Sequence, residues 1–190
     1  MLEKLEQTID HTRLVSELEP HLNRLIDFYE DVRDDMPVRV MTEYSKNHYV
    51  RNKRTDENWS AVHNNELTCM SYVTKLGQRM VSVFWNEVLQ ESEYVNEIVK
   101  SLNGTGDVHI SIVLAGPKFN LSKHTDTMKL VRYHIPLYNN DNCYFMSYDN
   151  NTESRMNIGE IWKLDSSRPH ATVNGDDKYF RVHLIIDFKP

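Results

Sequence analysis

The chain has 190 residues, 39% of them hydrophobic and 26% charged, with a formal net charge of −6. This is long enough for one domain with a real core, and the composition is that of an ordinary soluble globular protein. The acidic balance and the lack of a basic run argue against a general nucleic-acid binder, and no apolar run approaches membrane-spanning length.

The first residues, Met1-Leu-Glu-Lys-Leu-Glu-Gln7, have no apolar signal-peptide core. The two cysteines, Cys69 and Cys143, stand far apart and read as reduced thiols. Both features point to a cytoplasmic protein. Residues 1–35 read as helix, with Leu18, Leu22, Leu25, Ile26 and Tyr29 on one stripe. Ser16 and Glu19 make a candidate capping box, which would put Pro20 in the tolerated first turn. Pro37–Met41 alternates like a strand, residues 51–58 are a polar loop, and Trp59–Val62 resumes apolar character. Residues 78–103 read as helix again, in two pieces. One carries Val81, Phe84, Trp85 and Val88; the other carries Val95, Ile98, Val99 and Leu102, begun by Ser92 and stopped by Gly104.

From Asp107 the period changes from helix to strand. Val108, Ile110, Ile112 and Leu114 alternate with His109, Ser111 and Val113, and Gly116-Pro117 ends the run. In Lys129–Tyr138, Val131, Tyr133, Ile135 and Leu137 point one way while Arg132, His134 and Pro136 point the other. The last strand repeats the scheme, with Val182, Leu184, Ile186 and Phe188 opposed to Arg181, His183, Ile185 and Asp187. Two Arg-x-His rows fit a polar cavity between sheets that holds an anion; a solvent-facing row is the other reading. Shorter strands follow the same logic at Cys143–Tyr148, Glu160–Leu164 and Ala171–Val173, with turn clusters at 149–152 and 174–177. About eight short strands behind a helical N-terminal part suggest a mainly β jelly roll.

His124 and Asp126 are two apart, so on extended chain both side chains share a face. His170 follows after 44 residues and can complete the set. Two imidazoles and a carboxylate that leave positions open form the facial triad of non-haem Fe(II) oxygenases. Arg181, eleven residues after His170, is within reach of the same cavity.

Several pieces in order carry a resemblance: Leu114-Ala-Gly-Pro117, His124-Thr-Asp126, Leu130-Val-Arg-Tyr-His-Ile-Pro-Leu137, Gly159-Glu-Ile-Trp162, His170, Asn174, and Arg181-Val-His-Leu-Ile-Ile-Asp187. Over roughly residues 107–188 the chain resembles the aspartyl/asparaginyl β-hydroxylase family, including its bacterial proline-hydroxylase-like members. The resemblance implies a single domain over 1–190 on a double-stranded β-helix, a cupin-like jelly roll. Residues 1–106 would be its mostly helical N-terminal part, with a few strands, and 107–190 the core with the metal site.

The resemblance also implies a reaction. Fe(II) would be held by His124, Asp126 and His170, and 2-oxoglutarate by Arg181. Arg132 and His134 would hold either the iron-bound carboxylate or the substrate. 2-Oxoglutarate and O2 would be consumed, with succinate and CO2 formed as an unactivated C–H bond is hydroxylated. Arg51, Arg54, Trp59 and His183 are substrate candidates, although Arg51 and Arg54 also fit a solvated charged loop. Metazoan family members acting on EGF-like domains carry Gly at the place of Asp126. This chain keeps Asp126, with no signal and no repeats, so it is similar to the bacterial-type members. The expected substrate is an amino acid, free or within a peptide. A cupin-like metalloenzyme without 2-oxoglutarate and a non-catalytic jelly-roll binding module are the alternatives.

Overall fold

A computed structural model describes residues 2–31, 48–50, 58–63, 68–73, 79–85, 92–126 and 130–189. Strand β1 (Leu2–Thr8) precedes helix α1 (His11–Asp31). Four strands follow: β2 (His48–Val50), β3 (Asn58–His63), β4 (Thr68–Val73) and β5 (Arg79–Trp85). Helix α2 (Glu93–Ser101) leads into β6 (Asp107–Ala115), β7 (Asn120–His124), β8 (Val131–Tyr138), β9 (Cys143–Ser147), β10 (Thr152–Ser154), β11 (Glu160–Asp165), β12 (His170–Asn174) and β13 (Arg181–Lys189).

These strands form two sheets. The larger runs β1-β11-β8-β13-β6-β5-β4-β3-β2 and the smaller β10-β9-β12-β7. From β6 onward the chain passes back and forth between them: β6, β8, β11 and β13 lie in the large sheet, β7, β9, β10 and β12 in the small one. Eight antiparallel strands wound alternately through two facing sheets are a double-stranded β-helix, as the strand count anticipates.

The large sheet buries its two faces differently. Ile110, Ile112 and Leu114 of β6, Tyr133, Ile135 and Leu137 of β8, and Val182, Leu184, Ile186 and Phe188 of β13 form one apolar surface. The helices cover it with Leu14, Leu18, Leu22 and Leu25 of α1 and Val95 and Ile98 of α2. The opposite face of β8 and β13 carries Arg132, His134, Arg181, His183 and Asp187, turned toward the small sheet. His134, Arg181, His183 and Asp187 are buried there, which favours the cavity reading over the solvent-facing one.

Helix α1 starts at His11, with Asp10 as its cap: the Arg13 N–H donates to Asp10 Oδ1 at 3.0 Å. The Ser16–Glu19 capping box is therefore not formed, and Pro20 lies mid-helix. Four buried leucines at spacings of four and three supply about 1.5–3 kcal/mol each, which outweighs the roughly 3 kcal/mol that an interior proline costs. Helix α2 begins as read, with Ser92 Oγ accepting the Val95 N–H at 3.3 Å.

Two stretches read as helix are strands. Residues 79–85 form β5, paired with β4 and β6, because an open edge of β6 offers a ladder to this β-branched and aromatic run. Residues 2–8 form β1, paired with β11. Leu2 and Leu5, three apart, suit one helical stripe, but in a strand they fall on opposite faces. Leu2 packs with Phe145, Met156 and Leu164 between the sheets, while Leu5 joins the cluster under the helices. The expected strand at 37–41 lies outside the described residues.

Pro136 sits inside β8, where a missing N–H would break a central ladder. The β8–β13 register shifts at this point, from Val182 opposite Tyr138 to His183 opposite Pro136. The bulge accommodates the proline and keeps Arg132 and His134 in phase with Asp187 and Ile185.

Candidate metal centre

The register of the small sheet sets His124 on β7 opposite His170 on β12. Their rings lie 4.2 Å apart between centroids, and Phe145 of β9 stacks on His170 at 5.3 Å. Each imidazole is held by the same device. His124 Nδ1 bonds the Ser122 carbonyl and His170 Nδ1 bonds the Arg168 carbonyl, both at 2.8 Å. A carbonyl only accepts, so Nδ1 carries the proton and Nε2 keeps its lone pair for a metal. Burial lowers the His170 pKa, which also favours the neutral, ligating form.

Asp126 follows the end of β7. Its N–H donates to the Ser166 carbonyl at 2.9 Å, tying it to the loop between β11 and β12. Its Oδ1 lies 3.6 Å from His124 Nε2, and its Oδ2 accepts from Arg132 Nη1 at 2.7 Å. One atom from each of His124, Asp126 and His170 lies within 4.8 Å of the others. The expected triad is thus brought together, and the donor set of two nitrogens and one oxygen fits a divalent transition metal with open positions.

Behind the triad lies the polar row. Arg132 meets Asp187 edge-on, with Nε to Oδ1 at 2.7 Å and Nη2 to Oδ2 at 2.9 Å. Burial opposes its charge, but the bonds it donates to Asp187 and the charges of Asp187 and Asp126 prevail and raise its pKa. The expectation that Arg132 holds cosubstrate or substrate therefore meets a guanidinium already committed to two carboxylates. Arg181 is the reverse case. It is 5% exposed, and among the described residues its guanidinium meets only His183, with Nη2 donating to Nδ1 at 3.4 Å. Burial brings its pKa down to about 10.

His134 and His183 face each other, ring centroids 5.7 Å apart. Burial, then the charges of neighbouring arginines, pushes both pKa values well below the usual histidine range. Both nitrogens of His134, Nε2 of His183 and Oγ of Ser166 have no partner among the described residues. Buried polar atoms left unpaired cost about 1–3 kcal/mol each, so this concentration calls for hydrogen-bonding partners from water or a ligand. Asn174 braces the approach to Arg181: its Nδ2 donates to the carbonyls of Ala115, Gly116 and Tyr179.

Arg51 and Arg54 lie outside the described residues. Trp59 is on β3, with its side chain outside them. His183 lies deep in the polar row. Two residues near the site were given no role from sequence, Asp187 and Ser166. Asp187 had a signal, since it continues the alternation of Arg181 and His183; Ser166 had none.

Fold and site together define a cupin-like double-stranded β-helix protein with a candidate divalent-metal centre. The model of the aspartyl/asparaginyl β-hydroxylase family matches residues 38–190, and the chain belongs to that family. Among solved structures, a Pseudomonas putida prolyl-4-hydroxylase aligns with TM-score 0.58 and 10% identity over 99% of this chain and 91% of its own, which shows the shared fold. A predicted oxalate decarboxylase of Thermotoga maritima aligns at TM-score 0.44 and 11% identity, over 67% of this chain and 97% of its own. A cupin domain from Bordetella pertussis aligns at TM-score 0.38 and 14% identity, over 45% and 85%. No curated protein sequence matches. No helix among the described residues is long and apolar enough to cross a membrane.

Proposed function

We propose that this chain is an Fe(II)/2-oxoglutarate-dependent hydroxylase acting on an amino acid, free or within a peptide. The observation that carries this reading is Arg181: a guanidinium buried in the polar row, with no carboxylate partner among the described residues, whose neighbour His134 also feels the charge of His170 from the His/Asp/His group. In a metalloenzyme without 2-oxoglutarate, Arg181 would instead be a packing or substrate residue.

His124 and His170 would ligate through Nε2 and Asp126 through Oδ1. Arg181 would pair with the far carboxylate of 2-oxoglutarate, for which a planar fork is suited. His134 and His183, both neutral, would each offer an N–H to cosubstrate or substrate oxygens. Phe145 and the facing sheets would keep water from the reacting centre. Iron with 2-oxoglutarate supplies the oxidising chemistry: one atom of O2 goes to succinate, which forms with CO2, and the other to the substrate as a hydroxyl. Arg51, Arg54 and Trp59 remain the candidates for holding the substrate's own polar groups.

Anoxic titration with Fe(II) and then 2-oxoglutarate should raise a weak visible charge-transfer band, absent in His124→Ala and His170→Ala. A screen of amino acids and peptides by mass should then find a product heavier by one oxygen. If purified His124→Ala or His170→Ala kept normal activity, the metal assignment would fall. A wild-type protein that binds Fe(II) but develops no band would exclude 2-oxoglutarate as cosubstrate.

A further inference from the structure

We propose that Asp187 is a positioning residue for the metal centre, acting through Arg132 on the ligand Asp126. The inference rests on the metal-binding reading above. Asp187 and Arg132 are direct cross-strand partners on β13 and β8. Asp187 occupies one whole edge of the guanidinium, Nε at 2.7 Å and Nη2 at 2.9 Å. A guanidinium is planar and rigid, so fixing that edge also fixes the direction of Nη1. Nη1 reaches Asp126 Oδ2 at 2.7 Å.

The consequence falls on Asp126. Its backbone N–H is tied to Ser166, but that bond leaves the carboxylate free to turn. Arg132 removes the freedom. With Oδ2 taken, Oδ1 is the oxygen left facing His124 Nε2, at 3.6 Å. The carboxylate then ligates through one oxygen, and the position a second oxygen would fill stays open for cosubstrate. Asp187 is thus two hydrogen bonds removed from the ligand Asp126 yet decides how that ligand presents itself.

A purely structural ion pair knitting β8 to β13 is the competing account. Buried ion pairs often stabilise little, and this one is joined to a third group on a loop from the other sheet. A double-mutant cycle separates the two accounts, with Co(II) as the probe metal and its affinity and visible spectrum as readouts. Asp187→Asn puts an NH2 where the fork needs an acceptor, so it should weaken Co(II) binding about 10–100-fold and alter the spectrum. In an Asp126→Gly background the same change should cost nothing further, because the group it acts through is gone.

Equal losses in both backgrounds, or no loss in either, would overturn the proposal. If Asp187→Asn does not fold, the paired Arg132→Met/Asp187→Leu variant removes both charges together and should show the same pattern. Failure of the wild type to bind Co(II), or binding in His124→Ala equal to wild type, would overturn the metal reading and this inference together. Binding that His124→Ala abolishes and Asp187→Asn leaves normal would overturn this inference alone.

Discussion

Among single residues, Arg181 departs furthest from what burial ordinarily tolerates. Its pKa, brought down to about 10, reflects desolvation with no carboxylate among the described residues to offset it. Replacing it should have two opposite effects. Arg181→Ala should raise the 2-oxoglutarate KM steeply, since a lost charge partner in an enclosed site is worth roughly 2–5 kcal/mol. Arg181→Lys should restore only part, because a point charge cannot reproduce the fork. Yet Arg181→Met should melt higher than wild type when no ligand is present, because a buried unpaired charge has been exchanged for packing. An unchanged KM in Arg181→Ala would shift the anchor to another residue. The sequence nominates the His124, Asp126 and His170 group by residue type and spacing taken together with the order of the family motifs. The Asp187–Arg132–Asp126 chain was not legible there, because it depends on the register between β8 and β13, whose residues are 55 apart.

Elements show the same division. The alternation in β6, β8 and β13 was readable because each strand has one greasy and one polar face. Strand β1 does not show the alternation of a half-buried strand: only Leu2 and Leu5 are half-buried, one in each cluster, and their spacing of three suits a helix. Helix α1 was read as helix but with the wrong start, since the local signals at Ser16 and Pro20 yield to the leucine stripe from Leu14 onward. That override predicts a gain: Pro20 is exposed and denies the Ser16 carbonyl its helical donor. Pro20→Ala should therefore stabilise the protein by about 1–2 kcal/mol, after allowing for the looser unfolded chain. A denaturation midpoint at or below that of wild type would mean the helix already bends to suit the proline.

The whole molecule inherits a pH dependence from its inter-sheet cavity. His134 and His183 are neutral when folded, with pKa values well below 6.5, but titrate near 6.5 once unfolded. Between those values the unfolded chain binds more protons. Stability is thus intact above about pH 6.5 and falls below it, by up to about 1.4 kcal/mol per pH unit for each histidine. Denaturant titrations at several pH values between neutral and mildly acid should trace that fall, and His183→Leu should remove about half of it. A flat profile in wild type would mean the histidines accept protons within the fold.

The place of β13 has a kinetic consequence. It is an interior strand of the large sheet, bonded to β6 and β8, and it follows both in the chain. During synthesis at about 5–20 residues per second, Arg181 leaves the ribosome roughly 3–13 s after Ala115, its partner on β6. For those seconds β6 has an open edge and an apolar row of Ile110, Ile112 and Leu114. Helices α1 and α2 are made first, so the cover for that row is on hand before the strand that completes the ladder. The N-terminal layer is therefore placed to shield a nascent sheet, on a timescale of seconds, before His170 joins His124 and Asp126.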